Sequence, residues 1–236
     1  TTHTGLLAEL NNRDPRLLQT VCSPEAGEHT YYLKGHPANI ANIVNTGAGG
    51  SSSTGYSIAK FYNAAEHLAA HHQGTLDAPV FRFGEILLIR AEAAAELGTI
   101  SQTDLDATVN KLRERVGFNH KLTMSPAVDP KLEAEYPNVS ANNATLIREI
   151  RRERRVELFG EGYRFDDLRR WACGKRLDAS VAPRMGMIPD AKLYSPENIT
   201  AGINIPITPR HNPARISFTT PGIFPAMISV TVCVVS

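Results

Sequence analysis

Apolar residues of helical period gather in three stretches of the chain, with long aperiodic segments between and around them. The most regular stretch holds Leu105, Val109, Leu112 and Val116, which form a single stripe on a helix. Thr103 stands ahead of it as a cap, Asp104 and Asp106 occupy the first turn where the helix dipole favours acids, and Gly117 closes it. Upstream, Phe83, Ile86, Leu87, Arg90, Ala94 and Leu97 share one helical face, flanked by Leu88 and Ile89. Few positions are left there for solvent, so this helix is expected to be central. Gly98 sits where a left-handed residue would end it.

The third stretch runs from Thr145 to Trp171. Ile147, Ile150 and Leu158 fall in one narrow arc, and Arg154 projects into the middle of it. Arg148, Glu149, Arg151, Arg152, Glu153, Arg155 and Glu157 mix signs at i,i+3 and i,i+4 spacing. Interleaved carboxylates favour a solvated, salt-bridged face over a phosphate-binding one. Gly160 and Gly162 allow a sharp corner, after which Phe165, Leu168 and Trp171 recur at i, i+3 and i+6 as the docking face of a second helix. Trp171 is expected in the core rather than as a stacking platform.

Between these stretches the chain reads as loop. Leu6, Leu7 and Leu10 make a short helical pattern before the Asp14-Pro15 turn, and residues 20–53 are rich in Gly, Ser, Asn and Pro. Tyr56 to Tyr62 alternates well enough for a short strand. Phe118 to Asn143 is a long connection, functional or mobile, and after Trp171 prolines and glycines mark irregular structure. The helix pair from Arg82 to Val116 has the length of one tetratricopeptide (TPR) hairpin, with Ala91, Ala93, Ala94 and Ala95 permitting close approach of a partner. Such a unit needs neighbours to cover its open face. The expected fold is mainly α: a TPR-like hairpin plus further helices, long irregular loops and a little β. A single domain spans 1–236, with a loop-rich lead-in (1–80), a helical core (81–171) and an irregular tail (172–236).

Composition narrows function by exclusion. A net charge of +1 gives no steering toward nucleic acid, and no run approaches the length of a membrane-spanning helix. Cys22, Cys173 and Cys233 show no metal or redox spacing. His67, His71 and His72 cluster, but only Glu66 lies near to complete a metal set, so neither a metal nor a cofactor is expected. The sequence contains no nucleophile elbow, Walker loop or dinucleotide-binding turn, and GAGG lacks the flanking strand and helix. An enzyme is not expected.

The order IRRERRVEL then FGEGYRFDDLRRW resembles the signature of the SusD/RagB family of outer-membrane nutrient-binding lipoproteins. FRFGEILLIRAEAAAELG (Phe81 to Gly98) and TDLDATVNKLRERVG (Thr103 to Gly117) are similar to that family's preceding helices, and RDPRL (Arg13 to Leu17) and TGYSIAKFYN (Thr54 to Asn63) match weaker landmarks. Near the end, Ile205-Pro206-Ile207, Asn212-Pro213 and Pro221-Gly222 echo the family's closing segments at altered spacing. The resemblance implies a surface-exposed lipoprotein of the bacterial outer membrane. It would capture an oligosaccharide or peptide and deliver it to a SusC-like TonB-dependent transporter. Family members are typically more than twice this length and carry a signal and a lipidated cysteine, so the sequence reads as a C-terminal portion. The alternative is a cytoplasmic TPR-like adaptor that binds a peptide partner in its helical groove.

Three residue-level expectations follow. Arg90 and Arg154 should be buried structural cations, each paired with a carboxylate such as Glu85, Glu92, Glu157 or Glu161, because an unpaired buried charge is costly. Tyr31, Tyr32 and Tyr136 sit in polar loops where an aromatic face suits sugar stacking, although half-buried strand residues would fit the tyrosine pair as well. From Ile216 to Ser236 no residue is charged, and MISVTVCVVS is an aggregation-prone edge unless covered.

Overall fold

The computed structural model describes Leu10, residues 12–21, Tyr56, 58–61, Thr75, Asp77, 79–178 and 180–181. The complete α-helices among them are α1 (Pro15–Thr20), α2 (Phe83–Glu96), α3 (Gln102–Ala107), α4 (Val109–Arg115), α5 (Pro130–Glu135), α6 (Ala144–Glu157) and α7 (Arg164–Arg170), followed by a 3-10 turn (Gly174–Leu177). The protein is mainly helical. Among the described residues β structure is confined to one antiparallel bridge between Val21 and Ile58. That bridge stands where a strand from Tyr56 to Tyr62 was expected: the chain turns at Lys60 and Phe61, and Phe61 takes a left-handed φ of 68°.

The core forms where α2 packs along α6, its most extensive helix contact. Leu88, Ala91, Ile147 and Ile150 are fully buried there, and Leu105, Val109 and Leu112 close it from the hairpin side. Burying each large aliphatic side chain contributes about 1.5–3 kcal/mol. The stripe on α3 and α4 is as the pattern predicts. Its start differs: Ser101, rather than Thr103, caps α3 through a reciprocal capping box with Asp104. The hairpin's second arm is also broken at Thr108, whose hydroxyl donates to the Asp104 carbonyl at 2.6 Å and competes with the helical ladder.

The inward face of α2 is not the predicted one. Phe83, Ile86, Ile89 and Leu97 are exposed, while Glu85, Leu87, Leu88, Ala91, Glu92 and Ala95 are buried. Two glutamates displace two isoleucines because the chain beyond α6 brings them partners. The Tyr163 hydroxyl donates to Glu85 at 2.7 Å, Trp171 Nε1 donates to Glu92 at 2.6 Å, and Arg170 grips Glu92 with two bonds of 2.6 Å. Arg90 goes outward with the isoleucines. It is 59% exposed and pairs with Asp104, so the buried Arg90 expected from the sequence is corrected to a surface ion pair.

The long connection after α4 is stitched down. The Asn110 side chain donates to the Leu122 carbonyl and accepts from the Leu122 amide at 2.6 Å, while Gln102 does the same for Leu122 and Met124. Within it Asp129 caps α5, with Pro130 in the first turn. Gly160 and Gly162, at φ 76° and 88°, make the corner between α6 and α7. Beyond it Leu168 and Trp171 dock into the core as predicted, but Phe165 stays 54% exposed.

Candidate functional site

The charged face of α6 is largely buried. Glu149, Arg151, Glu153, Arg154 and Glu157 are all inside, which corrects the solvated face expected from their spacing. Except for Glu149, which pairs with Arg152 one turn on, their partners come from distant segments. Glu157 accepts from Arg16 at 3.1 Å, Arg82 at 2.7 Å and Arg115 at 2.9 and 3.0 Å. Glu153 takes Arg16 at 2.6 Å and Arg113 at 2.8 Å. Glu161, past the corner, accepts from Arg82 and from Lys60, whose ammonium also donates to the carbonyls of Glu157 and Phe159 and so caps the end of α6. Asp14 holds the other edge of Arg16.

Five cations therefore meet four carboxylates in one corner. Burial alone would push the Glu157 carboxyl up, but the hydrogen bonds from Arg82 and Arg16 and the charge of Arg115 hold it below the usual range. Asp14 is likewise opposed by burial and held down by Arg16. Burial lowers the Lys60 ammonium despite its bond to Glu161. At Gly84 a Cβ would lie 2.6 Å from Arg82 Nη1 and 3.2 Å from Glu157 Oε1, so a side chain there would push the Arg82 guanidinium aside. Each described segment that resembles the family contributes to this corner. RDPRL gives Arg16, TGYSIAKFYN gives Lys60, FRFGE gives Arg82, LRERVG gives Arg113 and Arg115, and IRRERRVEL gives Glu153 and Glu157.

A second cluster surrounds Tyr136. Its ring is fully buried and meets Trp171 edge-on, with centroids 5.4 Å apart. Arg151 lies over Trp171 at 4.9 Å and over Tyr136 at 5.8 Å, and its Nε and Nη1 are buried with no hydrogen-bond partner among the described residues. Burial raises the Tyr136 hydroxyl, which accepts from Arg164 at 3.1 Å. Beside it Glu135 is opposed by burial yet held low by Arg155, Arg176 and Arg164.

Tyr136 thus offers no face to a ligand and is corrected from an exposed loop aromatic to a core residue. Arg154 is buried as expected, but its partner is Asp167 at 2.9 Å, outside the expected glutamates. Glu85 and Glu157 are structural, with Tyr163 and the three arginines as partners. Tyr31, Tyr32, Cys22, Cys233, the histidines at 67, 71 and 72, and the apolar tail lie outside the described residues. Cys173 is a buried free thiol, raised by burial. Among the described residues no group of side chains could hold a metal, and no helix is long and apolar enough to cross a membrane.

One polar cavity of about 570 Å³ opens between the stitched loop at 121–130, Arg113 of α4 and α6. Its floor is Glu149, with a side chain only 6% exposed. One Glu149 oxygen accepts from Arg152, which also reaches Asp129 at 3.3 Å. The other has no hydrogen-bond partner among the described residues. Burial pushes the Glu149 carboxyl up, against the opposing charges of Arg152 and Arg113. No motif marks this cavity: Glu149 reads from sequence as one more surface charge on an alternating helix.

Compared with known proteins, the chain matches the model of the SusD family over residues 2–210. No curated protein matches it, and neither does any solved structure.

Proposed function

The chain belongs to the SusD family, whose members are non-catalytic, nutrient-binding components of the bacterial outer membrane, and from that premise we propose that it captures oligosaccharides and passes them to a SusC-like TonB-dependent transporter. The family match over residues 2–210 carries this reading. The ionic corner supports it, because the described segments that resemble the family are the ones whose side chains converge there to build the scaffold. They are framework, and ligand contacts belong to the loops around them. Tyr31 and Tyr32, in a polar segment, are the residues proposed to stack on a sugar, each pair contributing about 0.5–1.5 kcal/mol.

Calorimetry of the 236-residue chain against a panel of oligosaccharides tests the reading. Weak binding that drops when Tyr31 and Tyr32 are both replaced by Ala is expected, with no sugar released. Release of sugar products would overturn the non-catalytic reading. Failure to bind any glycan, together with capture of an extended peptide, would favour a peptide adaptor instead.

A further inference from the structure

We propose that the cavity floored by Glu149 is a subsite for a neutral, hydroxyl-rich ligand, a monosaccharide unit of a longer glycan. The inference rests on the glycan-binding reading above and adds a place for the ligand that does not involve Tyr31 or Tyr32.

A site for a sugar hydroxyl needs an acceptor and a donor side by side, because each hydroxyl gives one proton and receives others. The cavity offers that pairing. Glu149 presents an oxygen without a partner, Arg152 lies alongside it, and Lys121, Thr123 and Ser125 line the same cavity. The two hydroxyls and the Lys121 ammonium make no hydrogen bond among the described residues. A vicinal diol can donate to Glu149 while accepting from Lys121 or Arg152.

Charge argues against an ionic ligand. Arg152 is already shared between Glu149 and Asp129, and Arg113 is committed to Glu153, so among the described residues the exposed Lys121 ammonium is the one uncommitted charge of the lining. The volume lies within the usual range of small-ligand sites, roughly 300–1,000 Å³. The walls are also preformed. Asn110 and Gln102 clamp the backbone of Leu122 and Met124, and Arg113 holds the His120 carbonyl at 2.8 Å, so little ordering is required on binding. The Glu149 oxygen without a protein partner is left to solvent, and a ligand hydroxyl can take the place of water there. No aromatic side chain lines the cavity, so binding here should be weak and rely on polar contacts.

The experiment is titration of the isotope-labelled full chain with maltose, cellobiose, lactose and chitobiose, followed by amide and methyl chemical shifts. At least one sugar should shift residues 121–130 and Glu149 in a saturable manner. Glu149→Gln should weaken that binding by about tenfold, the usual effect of removing a hydrogen bond to a charged group. Because Glu149 is buried, a second variant, Lys121→Met with Thr123→Val, alters only exposed side chains and should weaken it several-fold while leaving the fold intact. Binding that perturbs other regions but leaves 121–130 unshifted would overturn this subsite and leave the glycan-binding reading standing. Full affinity in the Lys121/Thr123 variant would also overturn it. A panel in which no sugar shifts any resonance would overturn both.

Discussion

Glu157→Gln should cost about 3–4 kcal/mol of folding stability. The substitution keeps the shape of the side chain but removes the charge that three guanidinium groups share. Hydrogen bonds to charged groups contribute about 1.5–3 kcal/mol each. Arg115 is 52% exposed, so its bonds to Glu157 are screened and add little. Arg16 and Arg82 are the contacts that count, and neither is left alone: Arg16 retains Asp14 and Glu153, and Arg82 retains Glu161 and the Glu157 carbonyl. The sum of two bonds, reduced for these remaining partners, falls toward the lower end of the 3–5 kcal/mol typical of a broken buried pair. Urea unfolding of wild type and variant at neutral pH measures the difference directly. Hydrogen exchange adds a spatial test, since the amides of Val21 and Ala59, bonded to Leu17 and Thr20, should lose protection before those of α2. If Glu157→Gln unfolds within about 1 kcal/mol of wild type, the corner is a surface network and the reasoning fails.

Two further outcomes are expected. Arg154→Ala leaves buried Asp167 with only the half-exposed Arg170 and should cost about 3 kcal/mol, whereas Arg90→Ala breaks a surface pair and should cost under about 1 kcal/mol in the same unfolding assay. The acid limb of stability should follow Asp14, Glu135 and Glu157: their folded values lie below their unfolded ones, so their contribution is present above the ordinary carboxylate range and is lost as pH falls through the depressed values. Glu149 acts with opposite sign, its raised value costing stability as pH rises through the carboxylate range. A melting temperature that stays flat as pH falls through that range would contradict the assignment.

What the sequence revealed was periodicity and turn chemistry. The stripe of Leu105, Val109 and Leu112, the arc of Ile147 and Ile150, the glycine corner and buried Trp171 all follow from local spacing. The face of α2 did not, because hydrophobicity ranks Ile86 and Ile89 above Glu85 and Glu92. Only the partners delivered by Tyr163, Arg170 and Trp171, about 80 residues further along, reverse that order. The charges on α6 misled for the same reason. Interleaved signs look self-sufficient within a helix, yet Glu153 and Glu157 pair with four arginines, Arg16, Arg82, Arg113 and Arg115, from three other segments of the chain. Tyr136 was misread through its polar neighbours: Lys131, Glu133 and Asn138 are exposed, whereas Glu135 and the tyrosine turn in. Of the cavity, Arg113 and Arg152 lay in segments that resemble the family, but nothing in the spacing around Glu149 distinguishes an oxygen facing a void from one facing water.

Anchoring the early segments by charge also bears on how the chain comes into being. Arg16 must meet carboxylates 137 and 141 residues downstream. At about 5–20 residues per second, a growing polypeptide leaves Arg16 waiting roughly 7–30 s for them. An apolar anchor exposed for that long would invite association with other nascent chains. A guanidinium waits hydrated and at no cost, and gives up its water only when Glu153 and Glu157 arrive. The same holds for Lys60 and Arg82. The latch is thus silent until the last part of the helical core has been made, and closing it reports that α6 is in place.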